Sequence, residues 1–340
     1  MSSQVITATV SMAAAAVVAF ILTAILGRSM IPWLHKLKFG QTILDIGPSW
    51  HKNKQGTPTM GGIMFIISIC ASGAIFLLIN TVMKNPLKID TQMHIKLWAG
   101  IIMALAFGLI GFADDYIKVV KKRNLGLTIP QKSIAQIVVC AAYLAALYFA
   151  MGKAPYMYIP FVGQVKLGIW FWILGVCVLY GAINAVNFTD GIDGLCASVT
   201  VTCAAGFVVI AIMRSVFGMG ILASALMGGC AGFLVYNHHP AKVFMGDTGS
   251  MFLGGMVVAL AYIIDCPLIL VLLGIIYVIE AMSDVIQIGY FKLTHGKRIF
   301  RMAPIHHHFE MGGWSENKIV TVFCIVNIIG CIIGVILMNF

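Results

Sequence analysis

The residues able to do chemistry come in clusters, each at the edge of a long apolar run. Gly111-Phe112-Ala113-Asp114-Asp115-Tyr116-Ile117-Lys118 joins two carboxylates to a lysine, with Lys121 and Lys122 just beyond. Adjacent helical residues diverge by about 100°, so the two aspartates are expected to do different jobs. Lys118 and Lys121 fall on the Asp114 face, and Lys118 and Lys122 on the Asp115 face. Such a set either salt-bridges a helix end or holds a cation and phosphate oxygens. Asn184-Ala185-Val186-Asn187-Phe188-Thr189-Asp190-Gly191-Ile192-Asp193-Gly194-Leu195 is richer still. Asp190 and Asp193 can share a helical face, and the glycines allow close backbone approach. Capping the next helix needs one such residue, so the surplus points to binding.

Tyr236-Asn237-His238-His239-Pro240-Ala241-Lys242-Val243-Phe244-Met245-Gly246-Asp247-Thr248-Gly249-Ser250 places one carboxylate before a helix start. Asp247 there suits a helix cap, or a hard cation that takes one or two carboxylates and fills its shell with water and phosphate oxygens. Phe244 either anchors the loop or stacks on a ligand base. Ala303-Pro304-Ile305-His306-His307-His308-Phe309-Glu310 suggests zinc at first sight. Consecutive histidines point in different directions, however, and neither a cysteine pair nor H-E-x-x-H accompanies them. Contact with phosphate or sugar oxygens fits them better. Two weaker features are the basic turn His51–Gly62, with Lys54 and Thr59, and the stripe Glu280, Asp284 and Gln287. Either reads equally well as structural.

The elements that position these clusters are membrane helices. The 340 residues are 60% hydrophobic and 10% charged, with a mean hydropathy of +0.98. A water-soluble domain could not cover such a core with polar surface. About 20 apolar residues cross a bilayer as helix. That rule yields ten spans, Val5–Leu26, Gly61–Ile79, Leu97–Ala113, Ser133–Met151, Gly168–Val186, Leu195–Met213, Gly220–Tyr236, Gly249–Ile264, Pro267–Tyr290 and Ile319–Met338. The runs are continuously apolar, without the alternation of barrel strands. The expectation is one polytopic domain over residues 1–340, an all-α integral membrane protein built as a bundle of ten transmembrane helices. The first run lacks a basic leader and a cleavage site, so it reads as a retained helix.

Of the 22 Lys and Arg residues, 16 fall in odd-numbered connections. The positive-inside rule makes those cytoplasmic and puts both termini outside. The formal charge of +10 follows from these loops and does not indicate a nucleic-acid partner. Every acidic or histidine cluster in a connection lies in an odd one, so one composite active site is expected at the cytoplasmic face. Residues 152–167 are expected to form a small external hairpin or interfacial segment. The nine cysteines lie mostly in apolar runs and read as small buried hydrophobes.

The motifs F-A-D-D-Y-I-K, N-A-V-N-F-T-D-G-I-D-G-L, F-M-G-D-T-G-S and A-P-I-H-H-H-F-E, preceded by H-x-x-K-x-x-T-P-T-M-G-G, together resemble the phospho-N-acetylmuramoyl-pentapeptide transferases. That family belongs to the polyprenyl-phosphate N-acetylhexosamine-1-phosphate transferases. The aspartate motifs are common to the superfamily, whereas the histidine segment and the T-P-T-M-G-G turn are similar to the muramoyl-pentapeptide branch. Phe188, where leucine is commoner, is a conservative departure. The resemblance covers nearly the whole chain.

It implies a homodimeric, Mg2+-dependent enzyme of the bacterial cell membrane that makes lipid I and UMP for peptidoglycan synthesis. Its substrates would be UDP-N-acetylmuramoyl-pentapeptide and undecaprenyl phosphate. The implied catalytic residues are Asp114, Asp115, Asp247 and His307, with Asp247 as metal ligand. The implied substrate contacts are Lys54, Thr59, Lys118, Lys122, Asn187, Asp190, Asp193, Asn237, Phe244, Gln287, His306 and His308. A sister transferase using UDP-N-acetylglucosamine is the nearest alternative. A cation-coupled transporter is the alternative from another class, though the acids gather at one face and no inverted repeat is evident.

Overall fold

The computed structural model describes residues 3–36, 54–83, 86–121 and 125–339. Lys122 and the start of the basic turn at 51–53 lie outside the described residues. The apolar runs fold as helices α1 (Ser3–Lys36), α2 (Gly62–Val82), α3 (Thr91–Val120), α4 (Ile129–Ala150), α5 (Trp170–Thr189), α6 (Leu195–Met213), α7 (Phe217–Asn237) and α8 (Gly246–Ile263). After a 3-10 turn at Pro267–Ile269 come α9 (Leu270–Leu273), α10 (Ile275–Leu293), the short α11 (Ile305–Glu310) and α12 (Glu316–Leu337). Among the described residues, nine helices are long and apolar enough to cross a membrane, or up to ten if a bent pair counts as one span. The chain is therefore mostly helical, as expected of an all-α membrane protein.

Helix α8 lies at the centre, and every residue from Thr248 to Ile263 is buried. Helices α3, α5 and α2 pack around it. Two close approaches set the spacing at its first turn. A Cβ at Gly111 of α3 would overlap the Asp247 carbonyl, and one at Gly62 of α2 would overlap Gly249. These contacts give the glycines of the T-P-T-M-G-G turn and of Gly111-Phe112 a packing role. The turn itself is pinned to the α8 entry by backbone bonds from Phe244 N–H to the Pro58 carbonyl (2.8 Å) and from Gly61 N–H to the Phe244 carbonyl (2.9 Å).

Several boundaries differ from the sequence expectation. Helix α3 continues to Val120 instead of ending at Ala113, so Asp114 and Asp115 are helical. Their charges are matched inside the fold, and the helix has no reason to stop there. Helix α4 begins at Ile129, four residues early, because Thr128 and Gln131 form a capping box and Pro130 occupies the first turn. Asp247 sits in the first turn of α8, not in the connection before it.

The ninth expected span is not one helix. Pro267–Leu273 and Ile275–Leu293 meet at an angle of 90°, with Gly274 at the bend. A helix broken at membrane depth must have its freed backbone groups satisfied by protein. Asn327 of α12, 0% exposed, does this by donating to the Leu273 carbonyl (3.1 Å) and accepting from Ile276 N–H (3.4 Å). Its amide also reaches Thr202 (2.8 Å).

The end of the bundle away from the acidic clusters is closed by a hairpin within the expected 152–167 segment. Strands β1 (Tyr156–Ile159) and β2 (Gly163–Lys166) pair antiparallel. Lys96 holds Asp265 at 2.6 Å, and Tyr158 N–H donates to the Asp265 carbonyl at 2.7 Å. Both described chain ends lie here: Gln4 donates to the Leu87 carbonyl (3.2 Å), and Arg214 to that of Met338 (3.0 Å). All nine cysteines are free thiols, most of them buried, as expected.

The glycine contacts give a direct test of the packing. At Gly181 a Cβ would meet nothing, so Gly181→Ala should leave the thermal unfolding midpoint in detergent unchanged or raised. Gly111→Ala forces backbone against backbone and should lower stability by about 2 kcal/mol. Equal midpoints for the two variants would contradict this packing.

Candidate active site

Two ionic clusters form at one end of the bundle. The first is built on the N-terminus of α8, whose leading N–H groups have no cap of their own. Asp115 supplies one from α3. Its Oδ1 accepts from Asp247 N–H (3.2 Å), and its Oδ2 accepts from Thr248 N–H (2.9 Å) and the Thr248 hydroxyl (2.7 Å). A carboxylate at a helix N-terminus also gains from the helix dipole. Asp114, one residue earlier, accepts from Leu127 N–H (2.8 Å) and pairs with Lys118 (2.6 Å), so the adjacent acids have different hydrogen-bond partners although both carboxylates reach Asp247.

Asp247 gathers the remaining charge. Lys132 lies 2.7 Å from its Oδ2 and Lys118 3.3 Å away. Asn187 donates to its Oδ1 (3.0 Å) and to Ser250 (2.7 Å). Carboxylate oxygens of Asp114, Asp115 and Asp247 lie within 4.8 Å of one another. Three carboxylates face two lysines, which leaves a net negative charge, and an all-oxygen donor set suits a hard cation such as Mg2+. The Asp247 side chain is 21% exposed, against 3% for Asp114 and 4% for Asp115. Asp247 is therefore the carboxylate an arriving ion or substrate can reach.

The second cluster joins three segments. Lys54, from the turn before α2, lies 2.7 Å from both Asp193 and Glu316. Glu316, in the first turn of α12, also accepts from Asp193 N–H (2.8 Å). Asp193 Oδ2 meets His239 Nδ1 (2.9 Å) and accepts from Ala241 N–H (3.0 Å). Asn237 is buried and spends its amide on Gly194 N–H (3.1 Å) and the Val243 carbonyl (2.9 Å). Between the clusters lies Asp190, half-buried, whose backbone N–H donates to the Asn187 carbonyl (3.2 Å) and whose carboxyl has no hydrogen bond or ion pair among the described residues. Burial, and then the negative charge of Asp247, Asp115 and Asp193, pushes its carboxyl up to about 8.

The three histidines have different hydrogen-bond partners, and the rings of His306 and His307 lie 4.1 Å apart between centroids. His306 is fully buried and bonds Glu280 (3.0 Å), so it presents no surface to a substrate. His307 pairs with Glu310 (2.7 Å) and is 13% exposed. His308 accepts from Arg301 N–H (3.1 Å). Gln287 clamps the loop ahead of them, accepting from Ile299 and Phe300 N–H (3.1 and 3.0 Å) and donating to the Phe300 carbonyl (3.0 Å). Thr59 abuts Gly246 at the α8 entry, and Phe244 is half-buried beside it. Asn184 turns away to bond Gln136 (2.9 Å).

Sequence reasoning missed Lys132, which counted only as a loop base, and Glu316, which read as the flank of the last span. It also passed over the roles of His239, Thr248 and Ser250. For Lys132 the signal was present in the T-x-x-Q capping pattern, which places it in a helical first turn.

The model of glycosyl transferase family 4 matches residues 97–265. That of phospho-N-acetylmuramoyl-pentapeptide-transferase signature 1 matches residues 54–66. The chain is similar over 94% of its length to curated proteins named phospho-N-acetylmuramoyl-pentapeptide-transferase. It is 45% identical to that of Desulforamulus reducens, covering 94% of this chain and 93% of the relative. It is 46% identical to one from Listeria monocytogenes serotype 4b, covering 94% and 95%. It is 42% identical to one from Bacillus thuringiensis, again covering 94% and 95%.

The raised Asp190 carboxyl sets a pH dependence. An unfolded aspartate titrates near 3.9, and the folded group near 8. Between these values the folded state keeps a proton that the unfolded state has lost, so this group lowers stability progressively as pH rises, with the full cost above about 8. In chelator, the stabilisation of Asp190→Asn over the parent should grow from pH 5 to pH 8 and then level off. A difference that does not vary with pH would overturn the assignment.

Proposed function

Because the chain belongs to the phospho-N-acetylmuramoyl-pentapeptide transferases, we propose that it moves phospho-N-acetylmuramoyl-pentapeptide from UDP to undecaprenyl phosphate. The products are lipid I and UMP, and the site faces the cytoplasm. The observation that carries this reading is the meeting of Asp114, Asp115 and Asp247 with Lys118 and Lys132 at one bundle end. A lipid acceptor and a water-soluble nucleotide can meet only where the bilayer gives way to water. The excess of basic residues in the odd connections supports a cytoplasmic position for that end.

In the proposed step an oxygen of the lipid phosphate attacks the sugar-bearing phosphorus of the donor. The bond to the bridging oxygen breaks, and UMP leaves with that oxygen and the electron pair. Both reactants are anionic, so the barrier is dominated by charge and positioning. Asp247 would hold Mg2+, which would supply positive charge to offset the anionic reactants. Lys118 and Lys132 already point at the same carboxylate and offer ammonium groups to phosphate oxygens. Asp114, oriented by Lys118 and Leu127 N–H, positions the acceptor. It need not take a proton, because a phosphate monoester with a second pKa of about 6 is largely dianionic at neutral pH. Asp115 acts by holding the α8 terminus. A single displacement therefore suffices, with no covalent aspartyl-phosphate.

Asn187, Asp190, Asp193 and Phe244 form the proposed nucleoside wall, with Lys54 and Asn237 behind it and Thr59 beside it. His307 and His308 line the donor's sugar and phosphate region. Lys122 would add positive charge near the phosphates. The working unit is a homodimer in the bacterial cell membrane, and the product enters peptidoglycan synthesis.

Purified protein should release UMP only when undecaprenyl phosphate, Mg2+ and UDP-N-acetylmuramoyl-pentapeptide are all present. Preference for UDP-N-acetylglucosamine would move it to the sister transferases, and UMP release without the lipid would rule out the reaction. Asp247→Asn should cut kcat by about a thousandfold and change the Mg2+ dependence. Near-normal turnover would remove Asp247 as the metal ligand.

A further inference from the structure

Glu280 and His306 are the two most deeply buried ionisable side chains near the site, both at 0% exposure. They come from different elements: Glu280 from α10 below the 90° bend, His306 from α11. His306 Nδ1 and Glu280 Oε2 are 3.0 Å apart. The other two polar atoms of the pair, His306 Nε2 and Glu280 Oε1, are buried and have no hydrogen-bond partner. A buried donor left unsatisfied costs the full desolvation of its N–H, about 1–3 kcal/mol. The arrangement therefore favours a proton on Nδ1, donated to Glu280, and a bare Nε2.

The bare edge of the ring has a neighbour. A Cβ at Gly191 would overlap His306 Nε2 and lie 2.5 Å from Cε1. Gly191 follows Asp190, the unpaired carboxylate between the two ionic clusters, and the Gly191–Gly194 turn leads on to Asp193. The imidazole thus forms the floor of the turn that carries both aspartates. We propose that Glu280 and His306 are a positioning pair: Glu280 fixes the Nδ1–H form and orientation of the ring, and the Nε2 edge sets the height of Gly191 and hence of Asp190. His306 then acts through the turn and does not touch the donor. This departs from the role the sequence resemblance implies for His306, while it rests on the transferase reading for its kinetic consequence. A donor Nε2–H at that position would be driven against backbone carbon, which explains why the pair needs the carboxylate on the far side.

The test pairs kinetics with spectroscopy. Asn in place of His306 keeps a nitrogen near the Nδ1 position for Glu280 and deletes the edge that meets Gly191. Gly191→Ala should lower kcat/KM for the donor about tenfold or more, because the turn it displaces carries Asp190 of the proposed nucleoside wall. Adding His306→Asn to Gly191→Ala should restore kcat/KM at least about fivefold above the product of the single effects. Multiplicative losses would uncouple the ring from the turn and overturn the proposal. Thermal midpoints in detergent identify variants that fail to fold. Independently of any turnover, imidazole 15N shifts of labelled protein, assigned by the signal lost in His306→Asn, should show protonated Nδ1 and bare Nε2 in the parent and in Glu280→Gln. A protonated Nε2 in the parent would refute the pair. Failure of the transferase assay would leave this spectroscopic result standing, so the two readings fail separately.

Discussion

The site depends on one constraint, that the central helix α8, buried from Thr248 onward, must have its leading N–H groups satisfied by protein. No residue preceding α8 caps it. Asp115 does so from α3, with two backbone bonds and one hydroxyl bond. Bonds to a charged acceptor are each worth about 1.5–3 kcal/mol, and their geometry leaves little freedom in how α3 meets α8. Once α3 is fixed there, Gly111 must be bare for the backbones to pass. Asp114 is then turned towards Lys118, and Asp247 comes to rest among the lysines. A structural demand of low dielectric thereby assembles a charged site.

The same demand operates at the bend in α9 and α10. An interrupted helix exposes carbonyl and N–H groups that lipid cannot satisfy, and Asn327 satisfies one of each from α12. The bend lets α10 leave the direction of the bundle. Glu280 can then lie beneath the Asp190 turn, and Gln287 can clamp the loop that leads to the histidines. At these two places, positions distant in sequence are joined by side chains that bond backbone groups.

The helical membrane fold class and the acids around Asp247 were legible in the sequence, whereas Lys132 and Glu316, which complete the two ionic clusters, were not. The acids stood out for a physical reason: in so apolar a chain every carboxylate needs a justification. Boundaries were less legible, because the rule that charges end a membrane helix fails when partners wait inside, as for Asp114 and Asp115. The break at Gly274 was not legible at all, since the residue that permits it, Asn327, lies on another helix. The histidine run shows both sides. That the three would take different partners could be read from spacing alone. Which of the three would be buried could not, because that depends on Glu280 and Gly191. Lys54, Asp193 and Asn237 were legible as polar but not as a network, because Glu316 closes it from the far end of the chain.

The two ionic clusters differ in a way that assigns their roles. Around Lys54 the ammonium lies between two carboxylates that are 2% and 8% exposed, and each carboxylate also receives a backbone N–H. That cluster is complete, and its effect is to tie the turn before α2, the Asp193 turn and the last helix together. Around Asp247 three carboxylates share two lysines, and the most exposed acid has ammonium groups that a cation or phosphate can displace. Reactivity needs such an incomplete cluster, and a rigid complete one beside it. Asp190 sits on the boundary: its turn is held on one side by Asp193 in the closed network and from below by His306, while its own carboxyl stays unpaired and keeps its proton up to about pH 8.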